Sequence, residues 1–194
     1  MDRPYDESGL QSLFGYGRAA HERSAGICQL CGAGAGSDID FDLWRQFTIE
    51  HVIGDGQGGY PPRIRLAVDS RFAGLSETER AELARLIHEA NIVTACQFCN
   101  STTSRDRAPL TMEDVIAALP DDPEEALTAV TEQLQSILDA KREIVRWKLR
   151  SVYRGFRDSI RPALLARREQ TPALREPRDL SGVDIADTAP DAQP

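Results

Sequence analysis

The chain has 194 residues, enough for one domain of ordinary size and a tail, and 41% hydrophobic content supplies a small core. Its formal charge of −8 and pI of about 5.0 exclude a uniformly basic nucleic-acid binder, so any grip on a polyanion must come from a local patch. No apolar run approaches the roughly 18 residues of a membrane span, and no basic segment followed by an apolar stretch marks a signal peptide. The expected location is the cytoplasm, where paired cysteines bind metal more often than they form disulfides.

Ser8 to Ser24 reads as a helix, with Leu10, Leu13, Phe14 and Gly17 on one side. It runs into the pair Cys28-Gln-Leu-Cys31 and a loop of Gly, Ala and Ser from Gly32 to Asp40. Phe41 to Val52 is strand-rich, with partial alternation through Trp44, Phe47 and Ile49. Gly54 to Pro62 holds four glycines and two prolines and reads as a turn region. Leu75 to Ala90 predicts a helix capped by Ser76, with Glu79 completing a capping box. Asn91 to Ala95 is extended and leads into Cys96-Gln-Phe-Cys99.

Helices follow. Thr111 and Asp114 form a similar start for Met112 to Leu119, Pro120 to Pro123 is a break, and Glu124 to about Ile160 predicts one long helix. Pro162 ends or kinks it. From residue 169 onward the chain reads as an acidic, disordered tail rich in Pro, Ala and Asp. Charge reverses along the long helix. Every charged residue from Thr111 to Ala140 is acidic, whereas Lys141 to Arg161 carries eight basic residues against Glu143 and Asp158, interleaved with Trp147, Tyr153 and Phe156. That basic stripe suits either phosphate contact or a solvated helix with aromatics turned to the core. His21 and His88 fall in helical segments with no partner at ligand spacing and read as surface residues.

All four cysteines of the chain lie in the two Cys-x-x-Cys knuckles. Each tight turn presents two sulfurs, and two knuckles supply the four thiolates that a closed, structural zinc takes. The expected ligands are therefore Cys28, Cys31, Cys96 and Cys99. Between the knuckles lies Phe47-Thr-Ile-Glu50-His51-Val-Ile53, with a carboxylate and an imidazole side by side.

The ordered set Cys28-x-x-Cys31, Glu50-His51-Val-Ile, Gly58-Gly59, Asn91-Ile-Val-Thr-Ala-Cys96-x-x-Cys99-Asn100 resembles the zinc-stabilised HNH endonucleases over roughly Leu10 to Pro109. The resemblance implies an α+β fold: a small ββα-metal, treble-clef-like core with zinc knuckles, flanked by N-terminal and long C-terminal helices. The expected organisation is a nuclease core at 1–110, a helical extension, acidic then basic, at 111–168, and the tail at 169–194. His51 would be the general base that takes a proton from water. Glu50 and Asn100 would hold magnesium or manganese, hard ions suited to oxygen donors, and Asn91 would anchor the loop bearing His51. The implied reaction is metal-dependent hydrolysis of phosphodiester bonds in DNA, leaving 5′-phosphate and 3′-hydroxyl ends; small stand-alone members commonly act in restriction or phage defence.

This chain departs from the family pattern at several points. It has Glu50 where Asp is common, Asn100 where His is common, Gly54-Asp55 where a proline often follows, and a long segment between Gly59 and Asn91. Arg105, Arg107, Lys148, Arg150 and Arg154 are the expected phosphate contacts, which position a duplex without reading its sequence. The C-terminal helices are the expected place for a protein partner or a second copy. The rival expectation is a zinc-knuckle module that binds nucleic acid or protein without cutting.

Overall fold

Two antiparallel strands lie at the centre, β1 (Phe47–His51) and β2 (Ile92–Cys96), paired in the register Phe47 to Cys96 through His51 to Ile92. Hydrogen bonds from Val52 N to Asn91 O (2.8 Å) and from Gln97 N to Gln46 O (2.8 Å) extend the ladder at either end. The computed structural model describes residues 17–36, 38, 41–103 and 107–171. Among these the architecture is mixed, helices around a two-stranded sheet, which is an α+β arrangement. No helix among the described residues is long and apolar enough to cross a membrane.

Helix α1 (Gly17–Arg23) packs on both strands, and Ala20 meets Ile49 and Ile92 in a small buried cluster. The earlier part of the helix expected from Ser8 lies outside the described residues. The expected strand from Phe41 begins instead with one helical turn, α2 (Phe41–Trp44). The Gln46 side chain donates back to the Asp42 carbonyl and closes that turn, so β1 starts only at Phe47.

The segment between the strands carries two helices where the sequence predicts one. Helix α3 (Pro61–Arg71) starts inside the region read as a turn, because Pro61 and Pro62 occupy the first helical positions, where a missing N–H costs nothing. Helix α4 (Glu77–Ala90) has the expected capping box: Ser76 and Glu79 each accept a hydrogen bond from the other's backbone N–H. Helices α3 and α4 pack together, burying Ile64, Val68, Leu83 and Ile87.

After β2 comes α5 (Gln97–Thr103), which packs on both strands. Helix α6 (Met112–Ala117) has its capping box at Thr111 and Asp114, packs on α3, and stops short of the expected Leu119. Helix α7 (Pro123–Gly155) is the long helix, one apolar stripe of which is buried. It passes into a π-helical turn at Phe156–Ile160 and then α8 (Arg161–Gln170), which has Pro162 in its first turn. Helix α8 thus extends into the stretch read as tail; residues 172–194 lie outside the described residues.

The chain divides into two compact units, Met1–Lys148 and Leu149–Pro194. The expected boundary at residue 110 therefore falls inside the first unit, which includes α6 and most of α7. In the second unit Val152, Tyr153, Phe156, Ile160, Leu164 and Leu165 are exposed.

Candidate functional site

The two knuckles meet at one end of the sheet. Cys28 N donates to Ala33 O and Gly32 N to Cys28 O, which makes the first knuckle a tight turn; Gly32 has φ +78°, a conformation that favours glycine. Gln29 docks this turn on β2: its N–H donates to Thr94 O, and its side-chain oxygen accepts from Thr94 N at 3.0 Å. The second knuckle is the end of β2 running into α5. The four sulfurs lie within 4.8 Å of one another, and Cys31 and Cys96 are 3.8 Å apart, too far for a disulfide. Zinc–sulfur bonds of about 2.3 Å in a tetrahedron give edges of about 3.8 Å, so four cysteines so placed could hold one zinc ion. Thiols packed this closely compete for protons. Hydrogen bonds from Cys31, Cys96 and Cys99 push the Cys28 thiol down, and hydrogen bonding to Cys28 pushes Cys99 up.

Beside this cluster a cleft of about 410 Å³ opens on the first unit, and Glu50, His51, Asn100 and Arg107 all line it. Consecutive residues of an ideal strand face opposite sides. Both Glu50 and His51 reach one cleft because β1 ends at His51 and the chain bends at Val52 and Ile53.

Asn91 holds that bend. Fully buried, its Oδ1 accepts from Ile53 N at 2.8 Å, and its Nδ2 donates to Ile53 O and Gly59 O, each at 2.9 Å. Gly59 must be glycine, since a Cβ there would lie 1.6 Å from the Ile53 carbonyl oxygen. The turn holds a further residue at the cleft. Gln57 Nε2 donates to Ala108 O, and Gln57 Oε1 accepts from Ala108 N, both at 2.8 Å, which brings the neighbouring Arg107 to the rim.

The His51 ring stacks on Tyr60, with centroids 4.1 Å apart, and lies 5.6 Å from the His88 ring. Burial, with repulsion from His88 and Lys141 added, pushes the His51 imidazole down to about 4, so it is neutral near pH 7. His88 is also buried, which lowers its pKa. His21 is buried too, its Nδ1 being 3.1 Å from Thr94 Oγ1. Neither is a surface residue: their helices press these faces onto the sheet and the His51 loop.

Glu50 is the largest departure from expectation. It is buried, and its Oε1 accepts from Lys141 Nζ at 2.8 Å and from Thr103 Oγ1 at 3.3 Å. Lys141 Nζ also donates to the His51 carbonyl at 3.0 Å. Asn100 turns its amide nitrogen to β1, donating to Ile49 O at 3.3 Å and Thr48 Oγ1 at 3.4 Å. As arranged, a divalent ion on Glu50 would have to compete with the Lys141 ammonium that stands on Oε1. Asp69, another carboxylate of the inserted segment, is engaged by Arg65 and Arg80, whose hydrogen bonds hold it below the usual carboxylate range.

Of the expected phosphate contacts, Arg107 lines the cleft and Arg105 lies outside the described residues. Lys148 is committed to packing, its Nζ donating to Thr102 O at 2.9 Å near the C-terminus of α5. Arg150 and Arg154 are exposed and belong to the second unit. The sequence reading missed Lys141, Tyr60, Thr103 and Gln57. One signal for Lys141 was available: it interrupts the apolar stripe of α7. Compared with protein-family models, with curated proteins and with solved structures, the chain matches none.

Proposed function

We propose that the cleft hydrolyses phosphodiester bonds, most simply in DNA, with the four-cysteine cluster holding a structural zinc that fixes β2 and α5. The observation that carries this reading is a buried imidazole at His51, stacked on Tyr60 in a cleft with Arg107 at its rim, on a loop clamped by Asn91. The β1, β2 and α5 arrangement beside the cysteines supports a ββα nuclease unit of the HNH type.

His51 takes the proton from a water that attacks phosphorus, the bond from phosphorus to the 3′ oxygen breaks, and the departing oxygen takes up a proton from solvent, leaving 5′-phosphate and 3′-hydroxyl ends. Arg107 supplies positive charge against the phosphate as negative charge grows on its oxygens, and Lys141, paired with Glu50, lines the same cleft. Tyr60 and the Asn91 clamp keep the imidazole oriented. Magnesium or manganese on Glu50 and Asn100 belongs to the family pattern, but the ion pair between Glu50 and Lys141 stands against it, and no step is assigned to such an ion.

The test is nicking of supercoiled plasmid by zinc-loaded protein, with and without added magnesium or manganese. The wild type should nick, and His51→Ala should slow nicking by roughly 10²- to 10⁴-fold, the usual worth of a general base. The ion pair on Glu50 also favours a second reading, a zinc-knuckle module that binds without cutting. Equal DNA binding by wild type and His51→Ala, with nicking by neither, decides for that reading.

A further inference from the structure

The apolar stripe of α7 descends through Val130, Leu134 and Ile137 and resumes at Val145, all buried at helical spacing. Lys141 stands at a position in that stripe where a hydrophobic side chain belongs, and it is only 5% exposed. A lysine so placed costs desolvation unless it is paired and hydrogen-bonded. It is both, through Glu50 Oε1 at 2.8 Å and the His51 carbonyl at 3.0 Å. An ammonium has three N–H donors, these two bonds use two of them, and the side chain lines the cleft.

We infer that Lys141 is the resident cation of this cleft: it neutralises Glu50, closes that carboxylate to divalent metal, and turns its remaining N–H to an anionic phosphate oxygen. Only the identity of the anion rests on the hydrolase reading; the exclusion of metal rests on the ion pair itself. Because Nζ is bonded to both Glu50 and the carbonyl of His51, its N–H donors are fixed next to the His51 loop without a metal to place them. The same ion pair ties α7, through a residue 91 positions beyond Glu50, to the strand that lines the cleft.

Titration of zinc-loaded protein with manganese chloride alone tests this, read by calorimetry and by the manganese-dependent rise in melting temperature. Lys141→Met should bind manganese at least about tenfold more tightly than wild type, and its melting temperature should rise with the metal. The double variant Glu50→Gln/Lys141→Met should lose the gain, which locates the metal on Glu50. Equal manganese affinity in wild type and Lys141→Met overturns the inference, as does a gain that survives in the double variant. If Lys141→Met does not fold, Lys141→Gln, which keeps a hydrogen-bonding group, is held to the same two readings. Nicking is scored separately. A wild type that never nicks removes the hydrolase reading and leaves the manganese comparison standing; a wild type that nicks while the manganese affinities are equal removes only the role given to Lys141.

Discussion

At the scale of single residues, the site depends on how the bend after β1 is held. Asn91 is buried and makes three hydrogen bonds to Ile53 and Gly59. Asn91→Ala leaves one donor and two acceptors of the backbone without that partner in a buried place, so a loss of about 3 kcal/mol or more is expected in denaturant melts. Activity should fall with it, since the same bonds aim His51. Gly59→Ala should be at least as damaging, because the new methyl would have to displace the Ile53 carbonyl. His88 gives a pH-dependent counterpart. Its folded pKa is lowered by burial, partly offset by Glu89, and the His51 and Tyr60 rings lie on its side of the loop. A histidine depressed in the folded state is stable above its unfolded pKa of about 6.5 and loses stability as pH falls toward the folded value, because the unfolded chain then binds the extra proton. Wild type should therefore melt lower at pH 5 than at pH 7, and His88→Phe should narrow that difference.

At the scale of elements, the cysteine knuckles were the most legible part of the sequence, since two tight turns of identical spacing have few other uses. The capping boxes at Ser76 and Thr111 were equally readable, because they are local chemistry within four residues. What could not be read was chemistry between distant segments. Nothing near Glu50 announces Lys141 or Thr103, and nothing near His51 announces His88, because these pairs are made by packing α4, α5 and α7 against the sheet. Two prolines after four glycines looked like more turn, yet they begin α3, since the first helical turn has no use for their missing N–H groups. The knuckle elements also carry a prediction. Gln29 ties the first knuckle to β2, and the second knuckle is the end of β2 running into α5, so a metal held there and the sheet would form one cooperative piece. Elemental analysis should find one zinc per chain. Stripping it with a strong chelator, or making Cys28→Ser/Cys31→Ser, should lower the melting temperature and weaken the cooperative transition followed by circular dichroism.

At the scale of the whole molecule, a chain of charge −8 could grip a polyanion only through a minority of its surface. The basic stretch from Lys141 to Arg161 looked like one continuous stripe in the sequence, but its parts do different work. Lys141 is buried on Glu50, Arg142 donates to the Gln29 carbonyl at 2.7 Å, and Lys148 donates to the Thr102 carbonyl. These three hold the first-unit part of α7 against β1, the first knuckle and α5, whereas Arg150 and Arg154 are exposed in the second unit. The two groups should separate cleanly. Arg150→Ala/Arg154→Ala should weaken DNA binding similarly across unrelated sequences. It should also reduce the slope of log affinity against log salt by up to about 2, one for each phosphate that is no longer neutralised. Lys148→Ala should do the reverse, lowering the melting temperature while leaving the salt slope unchanged. Fluorescence anisotropy with a labelled duplex at several salt concentrations, beside thermal melts of the same samples, reads both. A salt slope untouched by the arginine pair would remove the second unit from DNA binding and leave Arg107, at the rim of the cleft, as the phosphate-facing arginine among the described residues.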